Sequence, residues 1–306
     1  MIEYVTRRLL MMIPILLGVS LVVFVLIRLV PGDPVILLAG EDATPEAIRS
    51  LRQQWGLDQP LYVQYLTFLW NLLRGNLGTS IRSGRPVADE ILDRCLNTVN
   101  LACLSLAIAL SIGILAGVAS GTHPYTKMDN LSMLVALFGL SAPAFWLGLM
   151  LMWLFAVYLS LLPAVGVGTI GHLVLPSITL GAAVAAAVAR QTRSGILEVM
   201  RQDYVRTARS KGLPENTVVW KHVLKNAMIP VVTVAGIFFG GMLGGSIVVE
   251  TVFAYPGLGK LLIDSISSRD YPVVQGLILI YAAVFSLVNL VVDLSYTYLD
   301  PRIRYE

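Results

Sequence analysis

Long apolar runs alternate with short polar stretches along most of the chain, a pattern typical of a protein that crosses a membrane several times. The runs predict six transmembrane helices, near residues 9–30, 96–119, 131–159, 173–189, 230–249 and 273–298. The first run is too long for a secretory signal peptide, and no small-residue cleavage site follows it, so we predict an uncleaved anchor. Arg28 near its end is expected to reach toward the membrane interface.

The polar segment 31–95 predicts a helical insertion between the first two spans. Thr44 and Pro45 are typical of a helix start, and Gly56 is expected to end that helix. A second amphipathic helix should follow Pro60 and carry Leu61, Tyr65, Phe68, Leu69 and Leu72, and a short helix is predicted at 87–92. The chain then divides into an anchor (1–30), this insertion (31–95), a transmembrane domain (96–298) and a tail (299–306).

A basic stretch from Arg201 to Pro230 interrupts the apolar pattern inside the transmembrane domain. Gly212-Leu213-Pro214 divides it, since glycine suits the end of one helix and proline the first turn of the next. Helically spaced apolar residues flank the break, at Ile196, Leu197, Met200, Tyr204 and Ala208 before it and at Val218, Val219, Val223, Leu224 and Ala227 after it. The sequence therefore predicts a helix-turn-helix within 196–229 that projects from the membrane domain and offers a docking surface.

Composition and charge agree with a membrane protein of defined orientation. The 306 residues are 56% hydrophobic and 13% charged, well below the charge of soluble domains. Most of the 22 lysines and arginines lie in loops that six spans place on one side, together with both termini. The positive-inside rule makes that side the cytoplasm.

The chain offers no constellation of residues for bond-breaking chemistry. Its Gly259-Lys260 pair lacks the upstream glycine of a phosphate-binding loop, and its three histidines are scattered in sequence. Cys95 and Cys103 are expected to be packing residues and not a disulfide. We therefore predict no catalytic residue, no metal site and no cofactor. One alternative is a stand-alone ion-coupled carrier, for which Asp293 is weak support.

Small residues and one proline are the candidate features of the membrane domain. Pro143 is expected to kink the third span. The fifth span holds glycines four residues apart, at Gly236, Gly240, Gly241, Gly244 and Gly245, followed by Ser246. Such spacing suits either close helix packing or a moving pore-lining surface, and the sequence leaves both interpretations open.

The stretch Asp203-Tyr204-Val205-Arg206-Thr207-Ala208-Arg209-Ser210-Lys211-Gly212 resembles the EAA loop of bacterial ABC importer permeases. Further similar segments are Leu29–Pro34, Gly56–Leu61, Arg85–Val87, Leu175–Ser177, His222–Pro230, Gly244–Ser246, Tyr255–Gly259 and Arg269–Pro272. Together they resemble the B-type permease subunit of the dipeptide/oligopeptide/nickel family. Thr207-Ala208-Arg209 replaces the Glu-Ala-Ala triplet with Gly212 in register, and Lys225 occupies the place of a later proline.

The resemblance implies the type I ABC importer permease fold and a non-enzymatic role as half of a translocation pore in the bacterial inner membrane. The implied partners are a second, homologous permease, two cytoplasmic ATPases that bind ATP and Mg²⁺, and an external binding protein. The residues implied to couple to an ATPase are Asp203, Arg206, Thr207, Ala208, Arg209, Lys211 and Gly212. The implied cargo is a small peptide, with glutathione or a nickel chelate as alternatives.

Overall fold

A computed structural model describes residues 2–29, 35–36 and 43–299, with the side chains of 2, 3, 245, 293 and 295–299 outside that description. The predicted helix stop at 31–34 and the tail beyond Leu299 therefore lie outside the described residues. Described elements are helical apart from one isolated bridge between Thr79 and Pro86. The all-α prediction is confirmed.

The helices follow one another along the chain with short connections. They are α1 (Ile2–Leu29), α2 (Pro45–Gln54), α3 (Leu61–Leu73), α4 (Val87–Thr122), α5 (Lys127–Ser141), α6 (Ala144–Leu151) with a π-helical extension (Met152–Tyr158), α7 (Gly171–Val199), α8 (Asp203–Ser210), α9 (Glu215–Thr217) with a π-helical extension (Val218–Val223), α10 (Leu224–Gly245), α11 (Ile247–Val252), α12 (Leu258–Ser267) and α13 (Tyr271–Leu299). Within the described residues, five helical segments are long and apolar enough to span a membrane, or six if the bent pair α5 and α6 forms one span.

Three predicted boundaries were wrong. The short helix at 87–92 and the second span are one 36-residue helix, α4, because no glycine or proline separates them. The fourth span continues past its apolar part to Val199 in α7. The second half of the predicted helix-turn-helix is continuous with the fifth span, so Pro230 lies inside α10 rather than at its start. Proline is tolerated there because neighbouring groups in a membrane protein can satisfy the freed carbonyl.

The third span is broken, and the predicted kink at Pro143 was too mild. Helix α5 ends at Ser141, and Pro143 precedes the first residue of α6 in extended conformation. The two helices meet at 110°. Proline disfavours a helical conformation at the residue before it, and Ala142 is extended accordingly.

Residues 1–97 and 256–286 form one compact unit. The predicted start and end of α2 are confirmed, since Thr44 Oγ1 accepts a hydrogen bond from the Ala47 backbone N–H and Gly56 has a φ of 65°. In this unit the buried Asp270 carboxylate accepts hydrogen bonds from the Ser80 hydroxyl and from the backbone N–H groups of Ile81 and Arg82. This carboxylate fixes the loop that leads into α4.

Residues 98–255 and 287–306 form the second compact unit. In this unit α4 and α7 pack closely, and Gly113, Gly117 and Gly121 leave no room for a side chain. A Cβ at Gly117 would lie 2.6 Å from the Ala189 carbonyl oxygen. The absence of side chains along this face of α4 lets the two backbones approach closely. Cys95 in the first unit and Cys103 in the second are both free, and Cys103 is exposed.

Candidate functional site

The candidate coupling segment is a short helix followed by a tight turn. Helix α8 ends where the Gly212 backbone N–H donates to the Arg209 carbonyl at 2.9 Å, and Gly212 has a φ of 76°. Glycine adopts this left-handed conformation at the lowest cost, because it has no Cβ. Pro214 then precedes α9 in extended conformation, so the chain reverses within a few residues. The break predicted from Gly212-Leu213-Pro214 is confirmed.

The inner face of this segment is part of a hydrophobic cluster in the second unit. Val205 and Ala208 from α8 are buried there. Their partners come from α4, α7 and the helix after the turn, namely Val118, Ile196, Val218, Val219, Val223 and Ala227. The segment is therefore held against the ends of transmembrane helices by packing, and a displacement of α8 must move those helices or open the cluster.

The outer face of the segment is polar and exposed. The predicted coupling residues Asp203, Arg206, Thr207, Arg209, Lys211 and Gly212 are all on it, whereas Ala208 faces the cluster. Arg209 Nη2 donates to Glu215 Oε1 at 2.6 Å and its Nε donates to Oε2 at 3.1 Å, which joins the two sides of the turn. This hydrogen bonding to Glu215 raises the pKa of Arg209, so its guanidinium remains charged. The Arg209–Glu215 pair is neutral overall, so the positive charge of this face comes from the exposed Arg206 and Lys211, which outnumber Asp203.

A second connection holds the helix after the turn against α7. A Cβ on Gly195 would lie 3.0 Å from the Ala227 carbonyl oxygen, so the two backbones are in near contact. Beyond the turn, the Asn226 amide donates to the Tyr204 hydroxyl at 2.9 Å. Tyr204 is itself exposed, although its spacing had predicted it for the inner face.

An ion pair near the same end of α7 was missed by the sequence reasoning. Arg193 donates from Nε to Asp129 Oδ1 at 2.7 Å and from Nη2 to Oδ2 at 2.8 Å. Asp129 is 1% exposed and also accepts from the Tyr125 backbone N–H at 2.8 Å. The sequence signal was the single acid of α5 together with two arginines, Arg190 and Arg193, in the last part of α7.

The predicted pore or packing residues divide into buried and open positions. Gly240 is buried, whereas a Cβ on Gly241 or Gly244 would meet no described atom within 4 Å. Gly245 lies at the end of α10, and Pro143 lies at the break between α5 and α6. The open positions leave a small-residue face on α10 that the described part of the chain does not cover.

Ser246 belongs to a buried polar group that also was not predicted. Its hydroxyl donates to Glu250 Oε1 at 2.8 Å, and the Thr98 hydroxyl donates to the same oxygen at 2.8 Å. Glu250 is 0% exposed, and its backbone carbonyl accepts from the Tyr255 N–H. Burial and the nearby Glu250 raise the pKa of the Tyr255 hydroxyl, which stays neutral. Ser246 therefore holds α11 in place and does not line an open surface.

Two known families match this chain, one in its N-terminal part and one in the rest. Residues 109–305 match the family described as binding-protein-dependent transport system inner membrane component, and residues 1–102 match the N-terminal family of the same transport systems. The chain is 50% identical over 306 residues to the glutathione transport system permease protein GsiC of Escherichia coli K12 and to that of Salmonella typhimurium LT2. Each alignment covers all of both proteins.

Solved structures agree on the fold. An inward-facing methionine ABC transporter, MetNI, matches with a TM-score of 0.58 and 19% identity over 69% of this chain and 96% of that one. An amino acid ABC transporter solved with histidines matches with a TM-score of 0.55 and 16% identity over 69% of this chain and 94% of that one. At these identities the likeness shows the type I importer permease fold alone.

These matches define the class of this helical membrane protein, which is a permease subunit of an ATP-binding cassette importer. The chain belongs to the family of binding-protein-dependent transport system inner membrane components. It is accordingly a multi-pass inner-membrane protein that works in a complex with ATPase and binding-protein partners. The family predicted from the sequence is confirmed. Membership in this family excludes the alternative that the chain is a stand-alone ion-coupled carrier. Asp293, on which that alternative depended, lies in α13 with its side chain outside the described set.

Proposed function

We propose that Asp203–Gly212 is the coupling segment of this permease and that the importer carries glutathione or another small peptide. The observation that carries the coupling proposal is the division of α8 into a buried apolar face and an exposed basic face. The exposed face docks on an ATPase. The buried face transmits the displacement to the ends of α4, α7 and α10, because a close-packed cluster resists compression.

The complex would hold a second, homologous permease and two ATPases that bind ATP and Mg²⁺. The segment and both termini would lie in the cytoplasm, because the predicted inner loops carry the excess of lysine and arginine. This chain then supplies half of the pore and no hydrolytic residue. The uncovered Gly241 and Gly244 face of α10 is where the second permease or the passing cargo would lie.

The cargo proposal has separate support. GsiC proteins that are 50% identical over their full length are permeases of glutathione transport systems. Glutathione is a small peptide, so this agrees with the peptide cargo implied by the coupling-loop resemblance. Import assays with the reconstituted complex and a panel of glutathione, dialanine and a nickel chelate would identify it. Uptake of the nickel chelate alone would contradict a peptide cargo.

Substitutions of Gly212 test the coupling proposal. Asparagine and aspartate both tolerate a left-handed backbone and have nearly the same shape. A Cβ at this position has open space around it. We expect Gly212→Asp to abolish substrate-stimulated ATP hydrolysis and import, because it places a negative charge on the basic docking face. Gly212→Asn should retain most activity.

Both variants should reach the membrane at the wild-type level, measured by quantitative immunoblotting of membrane fractions. Normal import by Gly212→Asp at that level would overturn the assignment. If Gly212→Asn is equally inactive, the turn geometry and not its charge is what the ATPase requires. Arg206→Glu and Lys211→Glu, on the same exposed face, provide independent charge reversals that leave the turn unchanged.

A further inference from the structure

The first unit contains a cavity that neither the family nor the coupling mechanism accounts for. It has a volume of about 410 Å³ and lies among the end of α1, the turn after α2, one side of α3, the loop before α4 and the start of α13. This volume is in the range of small-molecule sites. The polar loops of this unit are predicted to face outward, which is the side where a binding protein would deliver cargo.

Arg28 supplies the charge in this cavity. Its Nε and Nη2 donate to Gln64 Oε1 at 3.1 and 2.9 Å, and its Nη1 donates to the Phe24 carbonyl at 3.1 Å. The guanidinium also lies 3.4 Å from the centroid of the Phe24 ring.

A guanidinium has five N–H donors, and the bonds to Gln64 and Phe24 use three of them. None of the described residues that line the cavity is an aspartate or a glutamate. The local charge is therefore positive and uncompensated by the lining. An oxygen anion is the chemical complement of such a site.

Gln275 provides a second, independent observation. It lines the same cavity and is 5% exposed, yet its Nε2 has no hydrogen-bond partner in the described part of the chain. An unsatisfied buried amide donor is costly, on the order of 1–3 kcal/mol. Buried polar groups in native proteins are almost always satisfied, so an acceptor supplied by a ligand would account for this one.

The rest of the lining favours a peptide over a phosphate group. Six amide side chains line the cavity, from Gln54, Gln59, Gln64, Asn71, Asn76 and Gln275. An amide both donates and accepts, which suits the N–H and C=O groups of a peptide, whereas a phosphodiester only accepts. Trp55, Phe68 and Tyr271 add apolar surface for side chains. The Arg28 guanidinium can then bind the carboxylate of that peptide.

We propose that this cavity is a binding site for a short peptide with a free carboxylate, held by the Arg28 guanidinium and the amide lining. The carboxylate lies at Arg28, and Gln275 Nε2 donates to an oxygen of the same molecule. The inference rests on the proposed peptide cargo and adds a binding place for that cargo within the first unit.

The test measures equilibrium binding of dialanine, dialanine amide and glutathione to the assembled importer in phosphatidylcholine nanodiscs without binding protein. Wild-type importer should bind dialanine at least tenfold more tightly than its amide, because a charge-assisted bond is lost. Arg28→Gln should weaken dialanine binding by about tenfold and remove this preference, and Arg28→Lys should keep part of it. Gln275→Leu, which removes the unpartnered donor, should weaken both ligands.

Arg74→Gln is the matched control, since Arg74 also stacks on an aromatic ring, Trp70, but does not line the cavity. Equal binding of dialanine by wild type, Arg28→Gln and Gln275→Leu would overturn the proposal. So would loss of peptide binding when phosphatidylglycerol is added, since the site would then belong to a lipid headgroup. If the wild-type importer transports peptides but these variants bind them normally, the cavity assignment fails while the proposed function stands.

Discussion

Two helices carry glycines at four-residue spacing, and the structure uses them in opposite ways. On α4, Gly113, Gly117 and Gly121 are in contact with α7 so closely that a Cβ at each would lie within 2.8 Å of the neighbouring helix. On α10, Gly241 and Gly244 have no neighbour within 4 Å of a Cβ position among residues that the structure describes. The same sequence pattern thus produces a closed seam in one place and an uncovered face in the other.

The difference shows that small-residue spacing permits close approach but does not specify the partner. On α4 the partner is within the chain, and the glycines stabilise the second unit. On α10, Gly236 is in such contact, since a Cβ there would lie 2.5 Å from the Val292 side chain. The uncovered part of α10 is available for a surface outside this chain, which agrees with a permease that functions in a complex.

The largest effect on the free energy of unfolding is expected from breaking the ion pair between Asp129 and Arg193, which lies in the same unit as the α4–α7 contact. Arg193→Met leaves the buried Asp129 carboxylate without its cation, and such a loss costs about 3–5 kcal/mol. The free energy of unfolding, measured by denaturant titration in mixed micelles, should fall by that amount. The double variant Asp129→Asn/Arg193→Gln removes both charges and should recover much of the loss. Wild-type stability of Arg193→Met would show that the pair is not buried in the folded protein.

Adding a side chain at the close contact between α4 and α7 should have the next largest effect on the free energy of unfolding. Gly117→Ala places a Cβ 2.5 Å from the Thr192 Cβ and 2.6 Å from a backbone oxygen, which a side-chain rotation cannot relieve. Overpacking of this kind costs about 1–3 kcal/mol, and we expect the same titration to show it. If Gly117→Ala is as stable as wild type, α4 and α7 are not as close as described.

The same substitution on the uncovered face should have the smallest effect on stability. Gly241→Ala meets no neighbouring atom, so the free energy of unfolding should stay within about 0.5 kcal/mol of wild type. Gly241→Leu should also fold, yet it should reduce import by the reconstituted complex if this face meets the second permease or the cargo. Full import by Gly241→Leu would mean that the face contacts lipid only.

The sequence predicted the helical class, the amphipathic insertion and the turn at Gly212 because each depends on local chemistry. Apolar runs, a Thr-Pro helix start and a Gly-Leu-Pro break are read from neighbouring residues. The break at Pro143 was underestimated because a proline in a membrane helix can produce a slight bend or a full reversal. Surrounding packing decides between them, and the sequence does not display that packing.

The apolar faces of the proposed coupling segment also could be predicted only in part from the sequence. After the turn the helical spacing correctly identified Val218, Val219 and Val223 as buried. Before the turn it favoured Tyr204, whereas Val205 is the buried residue. A bend between α7 and α8 changes the register of the face, so extrapolating one helical period across both segments failed.

The sequence by itself determined that this chain is an all-α membrane permease and where the turn at Gly212 lies. Those conclusions rest on periodicity, charge and motif spacing, which are properties of short stretches. Only the tertiary structure decided that Asp129 pairs with Arg193, that Glu250 is held by Thr98, and that Arg28 and Gln275 line one cavity. Such partners are distant in sequence, and burial brings them together because isolated polar groups in an apolar interior must be satisfied.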